Sequence, residues 1–192
     1  LLVKYGYKGP VYCTEPTRDI MSLLALDFIS IGFKDARKPP FEVADVKQMV
    51  KQTICIGYEE VADITPDIRM TFYNAGHILG SAMTHLHIGN GLHNLLYTGD
   101  MLYDTSNLLA RAPTRFPRLE TVIIESTYGS KDDVLPPRKE SEEKLIAQVN
   151  KVIERGGKVL IPELGLGRAQ ETMLILEDAM KTGLMKNIPI YI

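Results

Sequence analysis

Three residues whose side chains suit metal binding or acid–base chemistry stand where predicted strands end. His77 lies between glycines in a segment too glycine-rich for a helix or strand, Asp100 closes a Tyr-Thr-Gly-Asp sequence, and Glu125 directly follows an apolar run. Imidazole is a common metal ligand, and aspartate is a hard oxygen donor that can bridge two cations. Taken singly, each has a plainer explanation: a histidine bonded to a backbone carbonyl, an Asx-turn or helix N-cap, and a helix cap or surface loop.

The three positions are more informative together than singly. Functional residues collect where strands of a sheet end, and each of these residues directly follows, or lies between, apolar strand-like runs. We predict that His77, Asp100 and Glu125 lie together at the carboxyl ends of their strands. The side chains of His77 and Asp100 should be within about 5 Å of each other, because one metal with bonds of about 2 Å must touch both.

A second pair of histidines, His85 and His87, alternates along a predicted hairpin strand. Residues two apart on a strand lie on the same face, and the residues that follow, Gly89 and Asn90, add no ligand. We therefore predict that both histidines lie on the surface of the sheet and bind no metal.

The segment 165–168, Gly-Leu-Gly-Arg, joins a predicted strand to a predicted helix. The free N–H groups of that helix and the guanidinium of Arg168 could face a substrate phosphate. A tight turn in which Arg168 pairs with Glu171 or Glu163 is an equally good explanation. The segment is not a dinucleotide-binding motif, because Gln170 stands where its third glycine should be.

Hydrophobic periodicity predicts the elements that position these residues. In the first part of the chain, Thr14 or Thr17 begins a helix that Gly32 ends, and a second helix covers Val43–Gln52. A period of two then predicts strands. The predicted strands of this part are residues 10–13, 53–56, 61–64, 68–73, 82–88 and 92–98.

The last third has a different pattern, in which strands 121–124, 158–161 and 188–192 alternate with helices 140–155 and 168–182. A β-α-β-α-β order is typical of a parallel sheet with short crossovers. The fold class predicted is therefore α/β, with a mostly antiparallel β section followed by a parallel α/β section.

Composition excludes several classes of protein. The chain has 192 residues, a formal charge of −2 and 45% hydrophobic residues, which excludes a disordered chain and gives no basic excess typical of nucleic-acid surfaces. No apolar run reaches the roughly 18 residues of a membrane span. Two cysteines, Cys13 and Cys55, are too few for a disulfide framework or a zinc ribbon. We expect a reducing, cytoplasmic location and no membrane association.

Several longer motifs follow one another along the chain: Ala-Gly-His-x-Leu-Gly-Ser-Ala, Tyr-Thr-Gly-Asp, Ile-Ile-Glu-Ser-Thr-Tyr-Gly, and the sequences at 155–162 and 167–171. This order resembles the metallo-β-lactamase-fold nucleases of the β-CASP family. The resemblance covers essentially the whole chain and is strongest to the archaeal homologues of the nuclease subunit of the cleavage and polyadenylation specificity factor. Residues 9–14 and 85–94 also look archaeal for that family.

The resemblance implies a role for each strand-end residue. His77 matches a zinc ligand, and Asp100 matches the aspartate that bridges two zinc ions. Glu125 matches an acidic residue that is not a ligand but holds a catalytic histidine from further along the chain. Families of this kind hydrolyse RNA phosphodiesters by two-metal chemistry, in which a hydroxide between the ions attacks phosphorus.

The family's His-x-His-x-Asp-His motif is missing, since Gly89 and Asn90 stand where its Asp and last His would be needed after His85 and His87. In the family, that motif precedes the segment with which this chain begins, and later histidine motifs follow the segment with which it ends. We therefore expect an internal piece that is inactive alone. Residues 1–129 would be the second part of an αββα metallo-β-lactamase sandwich, and residues 130–192 the beginning of a parallel β-CASP domain.

The function that the resemblance implies is a zinc-dependent ribonuclease acting in RNA 3′-end processing and transcription termination. RNA is the expected partner, with RNA polymerase or ribosome-associated machinery and a homodimer as further candidates. Two alternatives remain open: a β-CASP scaffold subunit that binds RNA without metals, and a small-molecule hydrolase of the metallo-β-lactamase fold.

Overall fold

A computed structural model describes all 192 residues and divides them into two compact units. The first unit comprises Leu1–Thr105 and Ala110–Glu125, and the second comprises Ser106–Leu109 and Ser126–Ile192. The boundary predicted between residues 129 and 130 separates the two domains that the family resemblance implies, and it stays a prediction.

Helices and strands are mixed along the chain, as expected of an α/β protein. The first unit contains β1 (Val11–Cys13), α1 (Glu15–Lys34), α2 (Val43–Gln52), β2 (Thr53–Cys55), β3 (Val61–Thr65), β4 (Ile68–Asn74), β5 (Ala82–Ile88), β6 (His93–Tyr97) and β7 (Thr121–Ile123). The second unit contains α3 (Arg138–Glu154) and α4 (Arg168–Lys181).

A five-stranded sheet of order β3-β4-β5-β6-β7 forms the centre of the first unit. All neighbours in it are antiparallel except β6 and β7, which are parallel. Because β5 runs opposite to both β4 and β6, the strands β4, β6 and β7 point the same way. Their carboxyl ends therefore meet at one edge of the sheet.

Both faces of this sheet are covered. On one face Met70 and Phe72 form a buried cluster with Ile56, and on the other Met83 and Leu96 form a second cluster. The second cluster is covered by the long segment between β6 and β7, from which Ala112 is buried and Phe116 and Leu119 pack against it. Burial on both faces fixes the register, since a one-residue slip would exchange the two sets of side chains.

Helix α1 begins at the first of its two predicted caps, because the Thr14 hydroxyl accepts a hydrogen bond from the Thr17 backbone N–H. The predicted end at Gly32 is wrong: the helix continues to Lys34, and the Asp35 N–H still bonds to the Ile31 carbonyl. A glycine inside a helix lowers the stability of the helix by only about 1 kcal/mol relative to alanine, so it does not end the helix by itself.

The second unit lacks the two strands predicted for it. Residues 158–161 and 188–192 form no strand, whereas α3 and α4 lie close to the predicted bounds. A strand needs a lateral partner for its backbone groups, and here Ile161 and Ile188 instead pack on a helical cluster of Val149, Leu176, Ala179 and Met185. The predicted parallel β-α-β-α-β sheet is therefore not formed in this structure.

None of the helices has both the length and the apolar character that crossing a membrane requires.

Candidate functional site

The three residues predicted to form a site follow the three strands that end at the same edge of the sheet. His77 lies in the loop between β4 and β5, Asp100 lies just after β6, and Glu125 lies just after β7. The parallel direction of these strands, rather than closeness in sequence, is what brings the residues together.

His77 and Asp100 are near neighbours, with 3.8 Å between His77 Nε2 and Asp100 Oδ2. This distance lies within the predicted limit of about 5 Å for two ligands of one metal. The His77 side chain is 33% exposed and that of Asp100 is 67% exposed. The pair therefore faces solvent, where an ion or a substrate can reach both side chains.

Close backbone contacts hold the loop that carries His77 in place. Gly76 has φ +69°, and a Cβ there would lie 2.7 Å from the Leu102 carbonyl oxygen and 3.0 Å from the Ala112 nitrogen. The Leu102 N–H donates to the Ala75 carbonyl at 2.8 Å. Only glycine permits this approach, so the loop that carries His77 is fixed to the segment that directly follows Asp100.

Further hydrogen bonds hold the same loop from within and from the start of α1. The Ser81 hydroxyl accepts from the backbone N–H groups of His77 and Ile78, each at 3.2 Å. The hydroxyls of Thr14 and Thr17 donate to the Gly80 carbonyl at 2.7 and 2.8 Å. His77 thus stands on a loop whose two ends are both anchored.

Glu125 holds the backbone beside Asp100. Its Oε1 accepts from the Met101 N–H at 2.8 Å, and its own N–H donates to the Thr98 hydroxyl at 3.2 Å. The carboxylate of Glu125 therefore holds the residue after Asp100, and the backbone N–H of Glu125 holds Thr98, the residue two before Asp100. This is a positioning contact that the sequence analysis did not anticipate, and the implied contact with a distant histidine stays a prediction.

His77 and Asp100 are donors of the kinds that zinc accepts, an imidazole nitrogen and a carboxylate oxygen. The structure contains no group of three or more His, Cys, Asp and Glu side chains that could hold a metal ion. A catalytic zinc takes three protein ligands and a water, so this pair alone would be too few ligands for such a site. Two zinc ions stay an expectation, and the geometry of this chain defines no metal-dependent step.

Comparison with known proteins gives close relatives in archaea. The chain is 54% identical over 191 residues to the transcription termination factor FttA of Methanothermobacter thermautotrophicus and 55% identical over 191 residues to that of Methanocaldococcus jannaschii. It is 51% identical over 192 residues to that of Pyrococcus abyssi. Each match covers 100% of this chain. The chain is therefore similar, over its whole length, to part of these archaeal termination factors. It spans about 30% of the length of these curated relatives. No protein-family model matches it.

The structure corrects the prediction made for the two histidines of β5. His85 was predicted on the surface of the sheet, yet it is 0% exposed and its two ring nitrogens have no hydrogen-bond partner. The segment between β6 and β7 covers this face, and Phe116 approaches the His85 ring edge-on with 6.5 Å between centroids. A period of two shows which residues share a face but not whether a distant segment covers it.

His87, also predicted on the surface, lies in a polar network on the same face. Its Nδ1 is 2.9 Å from Asn94 Oδ1 and its Nε2 is 3.2 Å from the Thr71 hydroxyl. The Asn94 amide in turn donates to Glu120 at 3.0 Å. The hydrogen bond from the Asn94 side chain is the main reason that the pKa of Glu120 lies below its ordinary value. Both nitrogens of His87 are thereby engaged within the protein.

Arg168 is the first residue of α4, in the second unit. The two carboxylates named as alternative partners of Arg168 are engaged elsewhere: Glu171 accepts from Arg138 and from the Asn107 N–H, and Glu163 accepts from the Thr172 hydroxyl at 2.6 Å. The Gly167 N–H donates to the Gln170 side chain at 2.8 Å, which fills one donor of the helix terminus. A phosphate-binding role for Arg168 stays a prediction.

Proposed function

We propose that this chain acts in RNA 3′-end processing and transcription termination, as part of a zinc-dependent ribonuclease. The supporting observations are of two kinds. Relatives named transcription termination factors match the whole chain at 51 to 55% identity. His77 and Asp100 are held 3.8 Å apart at one sheet edge by anchored backbone.

The single observation that carries the catalytic part of the proposal is the His77–Asp100 pair. Three strands end at one sheet edge, where they place the His77 imidazole, the Asp100 carboxylate, and the Glu125 carboxylate that holds the backbone just after Asp100. A scaffold that only binds RNA has no physical need for this arrangement. In the whole protein, the remaining ligands would come from other residues, and bound zinc would supply a hydroxide nucleophile and offset charge on the phosphate.

The finer fold assignment belongs to the same proposal. Residues 1–129 would form part of an αββα metallo-β-lactamase sandwich, and residues 130–192 would open a β-CASP domain. The sheet with both faces buried supports a layered arrangement. RNA would be the substrate, with RNA polymerase or ribosome-associated machinery as further partners and a homodimer as the assembly.

Substitution of Asp100 tests the proposal in the whole protein. We expect Asp100→Ala to abolish RNA cleavage while leaving RNA binding within about threefold, because affinity for RNA comes mainly from basic surface that contacts phosphates. The matched control is Asp104→Ala, which removes an exposed carboxylate from the same segment. A cleavage rate for Asp100→Ala within tenfold of wild type would contradict the proposal.

The non-catalytic alternative is favoured by one observation, the absence of a third metal-binding side chain beside the pair. A metal-free scaffold predicts that wild-type protein binds RNA but releases no cleaved product under any metal condition. The cleavage assay above, run with and without added zinc and a chelator, therefore separates the two functions.

A further inference from the structure

The two cysteines of the chain are partners in the register of a small parallel sheet. Strand β1 pairs with β2, and Cys13 stands opposite Cys55. Neighbouring strands lie about 4.8 Å apart, and a disulfide needs Cα atoms about 4.4 to 6.8 Å apart. Both residues are free thiols in the structure, although the backbone spacing already suits a bond between them.

The two thiols differ in accessibility. Cys13 is 8% exposed, whereas Cys55 is exposed. The Arg18 guanidinium donates to Cys55 Sγ at 3.7 Å, and the Ile56 N–H donates to the Cys13 carbonyl at 2.9 Å. Burial raises the pKa of the Cys13 thiol to about 11, and the neighbouring Cys55 adds to this effect. Cys55 is therefore the sulfur that a reagent from solvent meets first.

We propose that Cys13 and Cys55 form a redox-responsive pair that small-molecule disulfides convert into an intramolecular disulfide. The Cys55 thiolate attacks a disulfide RSSR, forming a mixed disulfide and releasing one RS⁻. Cys13 then loses its proton to water and attacks the Cys55 sulfur, which releases the second RS⁻. Two protein thiols are oxidised by two electrons, and the reagent is reduced to two thiols.

The position of the pair gives its oxidation a structural consequence. Cys13 directly precedes Thr14, whose hydroxyl donates to the Gly80 carbonyl in the loop that carries His77. The strands β1 and β2 contain three residues each, so few backbone bonds join them. A covalent bond between Cys13 and Cys55 stabilises the pairing of β1 with β2. It thereby also stabilises the position of Thr14, which bonds to the loop that carries His77.

Intact mass after treatment with oxidised glutathione tests the proposal on the wild-type chain. The chain should lose the mass of two hydrogens, lose both titratable thiols and form no disulfide between two chains. Dithiothreitol should reverse both losses. The oxidised chain should unfold about 5 °C or more above the reduced chain, because the crosslink restricts the unfolded chain.

Two matched variants separate the steps. Cys13→Ser should stop at the mixed disulfide and retain one glutathione on Cys55. Cys55→Ser should react at least tenfold more slowly, because Cys13 is buried and its pKa is raised. A wild-type chain that keeps a glutathione adduct, forms a crosslinked dimer or does not react overturns the proposal. These outcomes concern the wild-type chain alone, so a variant that fails to fold leaves the test intact.

Discussion

His77 Nε2 lies 3.8 Å from Asp100 Oδ2 because two strands separated by an antiparallel neighbour end at the same sheet edge. Neither residue belongs to a strand, so the distance depends on two loops. One loop is fixed by Gly76 and Gly80, and the other by the Glu125 carboxylate on the Met101 N–H. The pair is thus positioned by backbone contacts that can be broken one at a time.

The 192-residue chain should bind zinc weakly and cleave no RNA, because two ligands are fewer than the three of a catalytic zinc site. Zinc content of the purified chain after dialysis, measured beside RNA cleavage, checks this. Stoichiometric tight zinc, or cleavage that a chelator removes, would mean that His85, His87 or His93 is a ligand. The expectation that this chain is inactive alone would then be wrong.

Replacing Glu125 should destabilise the chain beside Asp100. We expect Glu125→Ala to cost about 2 kcal/mol in the free energy of unfolding, because a charge-assisted hydrogen bond to the Met101 N–H is lost. Glu125→Gln keeps an acceptor oxygen and should cost less than half as much. Urea denaturation gives both values, and faster hydrogen exchange at the Met101 amide in Glu125→Ala should locate the effect. Equal losses in the two variants would contradict this role.

Gly76→Ala should be among the more damaging small substitutions, at about 3 kcal/mol or more in the free energy of unfolding. The added Cβ meets backbone atoms, with the Leu102 oxygen at 2.7 Å, and these cannot rotate away. Gly6 is the matched control, since it also has a positive φ, +94°, but nothing lies within 4 Å of a Cβ there. Gly6→Ala should cost only about 1 kcal/mol. Similar losses at the two positions would show that the contacts around Gly76 are easily relieved.

The local elements were largely predictable because local residue patterns determine them. The strand Ala82–Ile88 and the helix Val43–Gln52 have the predicted bounds, and the approach of His77 to Asp100 was predicted from the positions of the strand ends. The parallel strands 158–161 and 188–192 were not predictable in the same way, because an apolar run becomes a strand only where a partner strand is available.

The sequence pattern also could not predict that the segment between β6 and β7 covers the second face of the sheet. Phe116 and Leu119 lie in a stretch without regular secondary structure, and no periodicity marks them as residues that cover this face, on which Phe116 lies against His85. Likewise, the contact of Glu125 with the Met101 N–H depends on how two loops meet, and no pattern in the sequence marks it. Long-range packing of irregular segments is the common reason for both differences.

Burial of His85 should make the stability of the chain sensitive to mild acid. Burial, and then the neighbouring His87, lowers the pKa of His85 below its ordinary value of 6.5, although the Arg118 backbone and the Glu120 carboxylate act in the opposite direction. As pH falls below about 6.5, the unfolded chain therefore takes up a proton that the folded chain resists. The stability contributed by neutral His85 is fully present above that pH and is lost below it.

Substituting His85→Phe should remove this part of the pH dependence. Phenylalanine keeps an aromatic ring among Tyr73, His87 and Phe116, and it cannot be protonated. Free energies of unfolding from urea titrations at a series of pH values between about 5 and 8 give the slopes. The other histidines are common to both proteins, so the difference in slope reports His85. His85→Leu provides a second variant if the larger ring disturbs the packing. If wild type and both variants lose stability equally steeply below about pH 6.5, the folded chain does not resist protonation of His85 and the prediction is wrong.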